Sequence, residues 1–340
     1  MKNLIIIGNE KISHSKNFFC ANIDFKTIVE GLLPLFNVRL IARFSKKKEI
    51  FFINYNNIYL ARNIIFYLIY VTKTFSNIRN NKYLIISITP YTFLAYILLF
   101  FFTNKIYIYL RSDGFKEYEN ILGKKWVFLY QIMFFVMLQK TKIISCQKEL
   151  TKGKFSYLVH PSELDKVWFN NKKNKINSKV EKVRLLYVGR IRVEKGIFNL
   201  LNIFAKLENE IELTIVGDRK IKLFNNHNIK FYNFFSEQKY LIEQYDKCHI
   251  FILPSYTEAH PKVVDEALAR SRPVIIFDDI KHIVADRIGI FICKRNSRNL
   301  KDKILYIYKN YSKIQKNISK NKLPTKKNFL QNLSKIIINK

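Results

Sequence analysis

The chain has 340 residues, 49% of them hydrophobic, which is too long for one typical domain and comfortable for two. Its formal net charge is +33, from 59 basic and 26 acidic side chains, which favours anionic partners such as nucleic acid, anionic lipid headgroups or nucleotide diphosphates. No block of five or more Lys or Arg marks a dedicated nucleic-acid patch, so nucleic acid is not an expected partner.

The apolar run at residues 4–7 ends at Gly8-Asn9, too short for a signal peptide, and predicts a first strand over 3–7. A polar loop with His14 follows, then a helix over 25–35 and strands over 37–43 and 50–53. Residues 63–74 read as helix, 84–88 as strand, and Thr89-Pro90 as the start of another helix. A strand over 105–110 leads into Arg111-Ser112-Asp113-Gly114, and one over 142–145 precedes Cys146. This alternation is the doubly wound α/β pattern. No G-x-G-x-x-G follows the first strand, so a dinucleotide cofactor is not expected in this half. His14, Arg111 and Asp113 are polar-site candidates, the last two because they directly follow a buried strand. Asp113-Gly114 reads equally well as a turn.

Two apolar runs, 93–102 and 126–138, are shorter than the about 20 residues that span a bilayer. They predict buried core helices or, alternatively, an aromatic face resting on an anionic membrane. Lys124, Lys125, Lys140 and Lys142 would then lie at headgroup level. Residues 157–169 suggest a domain end, with His160, Ser162 and Asp165 either near a cleft or, as favoured for Ser162, in turns and helix caps, and the polar, basic stretch 170–182 suggests a linker. Cys20, Cys146, Cys248 and Cys293 are far apart with no C-x-x-C, which fits free thiols in a reduced cytoplasm. The six histidines form no metal-ligand spacing, so no metal site is expected.

The second half repeats the α/β rhythm. It predicts strands over 183–188, 212–216, 229–232, 251–253, 274–277 and 289–293, with helices over 197–207, 237–248 and 300–311. Gly189-Arg190 and Lys195-Gly196 sit where the first of these strands opens into a helix. Arginine offers a fork of donors to phosphate there, and lysine adds a point charge. After residues 251–253 comes Pro254-Ser255-Tyr256-Thr257-Glu258, then a short helix with Pro261 at its first position, ended by Pro273. Glu258 and Glu266 bracket this turn with seven residues between them. Carboxylates there can accept hydrogen bonds from sugar hydroxyls and a ribose diol, and N–H groups at a helix start attract anions; taken alone, they read equally well as two solvated glutamates on a surface helix.

Together, V-G-R-x-x-x-x-K-G at 188–196, I-V-G-D at 215–218, P-S-x-x-E at 254–258, E-x7-E at 258–266 and A-x-x-x-P-V at 269–274 resemble the retaining GT-B glycosyltransferases of family 4, often called group 1. The resemblance covers the second half well and the first half in outline. It implies two Rossmann-like domains facing across a cleft: an acceptor-binding domain over 1–165, a nucleotide-sugar-binding domain over 183–320, and a helix at 321–340 returning to the first. It implies Arg190 and Lys195 on the diphosphate leaving group, Glu258 on the transferred sugar and Glu266 on the ribose. His260, Pro261, Lys262 and Val263, with Gly189 and Gly217, would contact the donor. The implied activity is metal-independent, needs no cofactor, and transfers sugar from a nucleotide-sugar to a glycan or lipid-linked glycan in surface polysaccharide synthesis. The expected place is the cytoplasm, where the +33 charge and the aromatic runs would hold the chain at an anionic membrane face. Departures are Arg111-Ser112-Asp113-Gly114 where the family often has a histidine, Ala259 after the first glutamate, and Ser271 where the helix usually ends at Gly. A basic nucleic-acid-binding protein and an inactive, binding-only relative remain the competing readings.

Overall fold

The computed structural model describes residues 1–170, 182–207, 211–218, 227–235 and 237–339. The predicted linker at 170–182 lies, apart from its two ends, outside the described residues. The chain divides into two compact units, Met1–Glu163 with Lys326–Lys340, and Leu164–Thr325.

The first unit runs β1 (Lys2–His14), β2 (Phe18–Cys20), α1 (Ile23–Leu32), β3 (Phe36–Phe44), β4 (Phe51–Ile53), β5 (Ile58–Ala61), α2 (Ile64–Thr72), β6 (Asn81–Ile86), α3 (Pro90–Phe100), β7 (Ile106–Leu110), α4 (Gly114–Leu122), α5 (Lys124–Met137), β8 (Lys142–Ser145) and β9 (Tyr157–Leu158). β1 is flanked by parallel partners, β3 and β6, and Leu4–Ile7 are buried on both of its faces, as in a parallel sheet covered on both sides. Beyond β6 the sheet continues β7-β8-β9, all parallel. Helix starts are set by side-chain caps: Asn22, Asn63, Asp113, and Thr89 in a capping box with Thr92.

β1 is longer than predicted. A bulge between Ile7 and Lys11 lets it continue to His14 and pair antiparallel with β2, and the His14 ring stacks on Phe18 at 4.3 Å. His14 therefore ends a hairpin strand and does not sit in a loop directly after residues 3–7.

The second unit runs α6 (Lys166–Phe169), β10 (Val183–Val188), α7 (Ile197–Phe204), β11 (Ile211–Gly217), β12 (Ile229–Asn233), α8 (Gln238–Lys247), β13 (Ile250–Leu253), α9 (Lys262–Ala269), β14 (Val274–Phe277), β15 (Ile290–Cys293), α10 (Ser297–Lys309) and α11 (Tyr311–Ile318). Its sheet is parallel in the order β12-β11-β10-β13-β14-β15. The order reverses at β10, so the carboxyl ends of β10 and β13 flank the topological switch point, where open α/β sheets bind ligands. Two buried arginines brace this unit. Arg270 bonds Asp246 at 2.9 and 2.7 Å and the Trp168 carbonyl at 2.9 Å, while Arg272 bonds the carbonyls of Tyr245 (2.8 Å) and Asp246 (2.9 Å). Their charges are tolerated because the donors are taken up by fixed acceptors.

The last helix, α12 (Lys326–Asn339), returns to the first unit. Phe329, Leu333 and Ile337 join that unit's core, and Lys82 Nζ bonds the Ile337 and Ile338 carbonyls in the helix's last turn.

Candidate donor-binding site

Both charged motifs of the second half emerge at the switch point. After β10, Gly189 N–H donates to the Val216 carbonyl (3.0 Å), and Ile191 N–H donates to Asp218 Oδ1 (2.7 Å). Asp218, at the end of the I-V-G-D motif, thus holds the loop that carries Arg190, and Arg192 lies 3.4 Å from its other oxygen. The glycines are steric requirements here. A Cβ on Gly217 would lie 2.8 Å from the Ile191 side chain, and one on Gly189 would lie 2.7 Å from the Tyr187 hydroxyl.

Lys195 closes a 3-10 turn and Gly196 follows at φ 65°, a left-handed conformation that favours glycine. Gly196 packs so tightly under the next loop that a Cβ would fall 1.9 Å from the Pro254 carbonyl oxygen. The two motifs therefore interlock. Lys195 Nζ lies 2.7 Å from Glu258 Oε1, and Ser255 Oγ donates to the same oxygen at 2.7 Å. Tyr256 N–H donates to the Glu194 carbonyl, and the His282 ring lies 2.8 Å from the Glu258 carbonyl. Tyr187, whose hydroxyl donates to the Arg190 carbonyl at 2.9 Å, feels the charges of Glu258, Asp218 and Arg190; burial first, then the two carboxylates, raises its pKa. Arg190 itself is exposed and its guanidinium makes no ion pair among the described residues.

Glu266 lies on the inner side of α9, buried, with Tyr245 O–H donating to its Oε2 at 2.9 Å. Burial pushes its carboxyl above the usual range, opposed by the Lys262 charge and the Tyr245 hydrogen bond. Pro261 precedes the first helical residue of α9 and does not occupy it, because its ψ of 108° is extended. Lys262 and Val263 open the helix. His260 Nε2 lies 2.9 Å from Asp265 Oδ2, and Arg287 is 2.9 Å from Oδ1. Burial raises the Asp265 pKa, but the His260 hydrogen bond and the Arg287 charge outweigh it and hold it below normal. The helix ends at Ser271 with φ 58°, the strained geometry that a glycine would relieve.

Sequence reasoning missed Arg295. It donates to the Pro254 (2.9 Å) and Ser255 (3.3 Å) carbonyls, pairs with Asp279, and stacks over Tyr256 and Phe277. It clamps the loop that presents Glu258, yet it follows a strand with no motif of its own. In the first unit, Asp113 caps α4, its Oδ1 accepting from the N–H groups of Phe115 and Lys116. Asp165 likewise caps α6. Among the described residues no group of His, Cys, Asp and Glu is placed to hold a metal ion.

Residues 169–323 match the sequence profile of the family described as glycosyl transferases group 1. This segment belongs to the group 1 glycosyltransferases. TuaC of Bacillus subtilis (strain 168), assigned as a glycosyltransferase of teichuronic acid biosynthesis, is 33% identical over 105 residues, 27% of this chain and 24% of that protein. An uncharacterised glycosyltransferase of Haemophilus influenzae is 30% identical over 141 residues, 37% of this chain and 38% of that protein. The chain thus matches less than two-fifths of the length of these curated relatives. Solved structures match the fold end to end. Sucrose-phosphate synthase of Thermosynechococcus elongatus gives a TM-score of 0.73 at 14% identity, covering 99% of both chains. WaaG, a glycosyltransferase involved in lipopolysaccharide biosynthesis, gives 0.69 at 13%, covering 99% of this chain and 100% of that one. Anabaena HepE in complex with UDP and glucose gives 0.70 at 11%, covering 100% of both. The group 1 segment is the second Rossmann-like unit of a GT-B fold, and the interlocked motifs lie within it.

Proposed function

We propose that the chain is a glycosyltransferase that moves a sugar from a nucleotide-sugar to a glycan or lipid-linked glycan, with retention, in surface polysaccharide synthesis. The observation that carries this is the contact of Lys195 with Glu258 at the switch point, where two motifs 63 residues apart meet. Arg190 and Lys195 neutralise the diphosphate as charge builds on it, which stabilises the transition state more than the ground state. These cations and the α9 start carry that charge, so the chemistry needs no metal. Glu258 takes the sugar hydroxyls and Glu266 the ribose, while N–H groups around His260–Val263 contact the donor. HepE structures holding UDP and UDP-glucose support a uridine donor. A nucleic-acid groove is disfavoured because Glu258 and Glu266 would repel a phosphate backbone.

The chain works, in this reading, on the inner face of an anionic membrane. α3 packs beside both α2 and α5, and none of the three carries an acidic residue. The run at 126–138 is buried along one side only. Phe128 (68%), Ile132 and Phe135 on α5, Ile65 (64%) and Phe66 on α2, and Phe101 (74%) after α3 are exposed. Lys73, Lys124 and Lys125 flank this apolar surface. Among the described residues no helix is long and apolar enough to cross a membrane.

The direct test is thermal stabilisation by a panel of nucleoside diphosphates and nucleotide-sugars, repeated with Arg190→Ala and Glu266→Ala. A shift by one diphosphate that both variants lose supports the reading. Stabilisation by nucleic acid alone overturns it.

A further inference from the structure

Arg111 follows β7 at the carboxyl edge of the first unit's parallel sheet, the edge where such sheets take ligands. Its Nε and Nη1 are buried, and neither has a hydrogen-bond partner among the described residues. Among the described residues no carboxylate is ion-paired with it. Asp113, two residues on, is committed to the α4 cap. The guanidinium lies close enough to the Tyr109 phenol and the Cys146 thiol for its charge to act on both, and each of those groups is itself buried. An arginine cannot shed its charge, so a partly buried and unpaired guanidinium is costly unless something supplies the missing acceptors. The neighbouring strand end is also under strain. Ser87, just past β6, has φ 66° and donates its N–H to the Tyr109 carbonyl, and such left-handed non-glycine residues cluster at binding sites. The buried arginines of the second unit show the contrast, since Arg270 and Arg272 are each surrounded by carbonyl or carboxylate acceptors.

From this we infer that Arg111 is an anion-reading residue for the acceptor, its guanidinium taking a carboxylate or phosphate group of an acidic sugar. The planar fork matches such an oxyanion in bidentate fashion, which a lysine would not reproduce. The inference rests on the glycosyltransferase reading and adds the charge class of its acceptor.

The test uses the full chain saturated with the nucleoside diphosphate that stabilises it. Ligand-observed NMR titrations then compare methyl glucuronide, glucose 6-phosphate and neutral methyl glucoside. At least one acidic sugar should bind about tenfold or more tightly than the neutral one, and which one does so identifies carboxylate or phosphate as the group read. Arg111→Gln should erase that preference while leaving the diphosphate affinity within about twofold. Arg111→Gln and Arg111→Met should also raise the melting temperature of the ligand-free chain, because each removes an uncompensated charge; a purely structural arginine would lower it. Equal binding of acidic and neutral sugars, or an acidic preference that survives Arg111→Gln, overturns the inference. Failure of every diphosphate to bind would instead strike the donor-site reading.

Discussion

The ammonium of Lys195 and the hydroxyl of Ser255 converge on one oxygen of Glu258, each at 2.7 Å. The cation assigned to the leaving group is therefore already oriented by the carboxylate assigned to the sugar. Lys195→Ala should lower the rate of donor turnover by roughly 10²–10³, as for loss of a charge-stabilising donor. Because the partners touch, Lys195→Ala and Glu258→Gln should combine less than multiplicatively. Steady-state kinetics of nucleotide-sugar hydrolysis on the two single variants and the double variant measure this. Fully multiplicative losses would mean that the contact has no part in catalysis.

Gly196→Ala tests the interlocking of the two loops. The new Cβ would meet the Pro254 carbonyl at 1.9 Å in a left-handed backbone conformation. Backbone must move to relieve it, at about 1–3 kcal/mol. Urea unfolding should show that loss, and calorimetry should show weaker diphosphate binding, since the Glu258 loop is displaced. Unchanged affinity would separate the loop's position from donor binding.

His249 predicts an acid-sensitive core. Its Nδ1 accepts the Arg184 N–H at 2.9 Å in a fully buried setting. Burial, then the charges of Arg184 and Arg272, lower its pKa to about 4. An unfolded histidine titrates near 6.5, so between these values the unfolded chain binds more protons. Stability should therefore be full above about pH 6.5 and fall as pH drops toward 4, by up to about 3 kcal/mol. Denaturation midpoints from pH 4 to 8 check this. The slope in that window should shrink in His249→Asn, even if that variant is less stable throughout.

Vesicle sedimentation tests the apolar surface. Binding should require anionic lipid and weaken with salt. Lys124→Glu with Lys125→Glu should cost on the order of 1 kcal/mol per lost cation, or more with reversal. Phe128→Ser with Phe135→Ser should weaken it independently of salt. A salt-insensitive dimer in solution, with no vesicle binding, would assign this surface to a second copy instead.

The loops of the candidate site were legible because glycines and prolines punctuate them and the charged residues follow short apolar strands. The Val188–Gly196 and Pro254–Glu258 stretches come together as two strand ends beside one reversal of sheet order. What escaped reading had two physical causes. Residues 93–102 and, but for Gln131, residues 126–138 are apolar all round, so periodicity could not say which side of each helix is covered. Arg270, Arg272 and Arg295 carry no signal in the sequence, because an arginine's burial depends on acceptors such as Asp246 and Asp279, which are set by the tertiary fold. The extension of β1 to His14 depended on a bulge that composition does not announce.

The seating of α12 on the first unit has a consequence for synthesis. Phe329, Leu333 and Ile337 complete a core begun by Leu4 and Ile6. A ribosome must therefore make all of Leu164–Thr325 before that core can close. At roughly 5–20 residues per second that segment alone takes about ten to thirty seconds, and the earliest strands wait longer still for their last partner. During that interval the N-terminal sheet is the part of the nascent chain with greasy surface on offer, and the part on which a chaperone would be expected to rest.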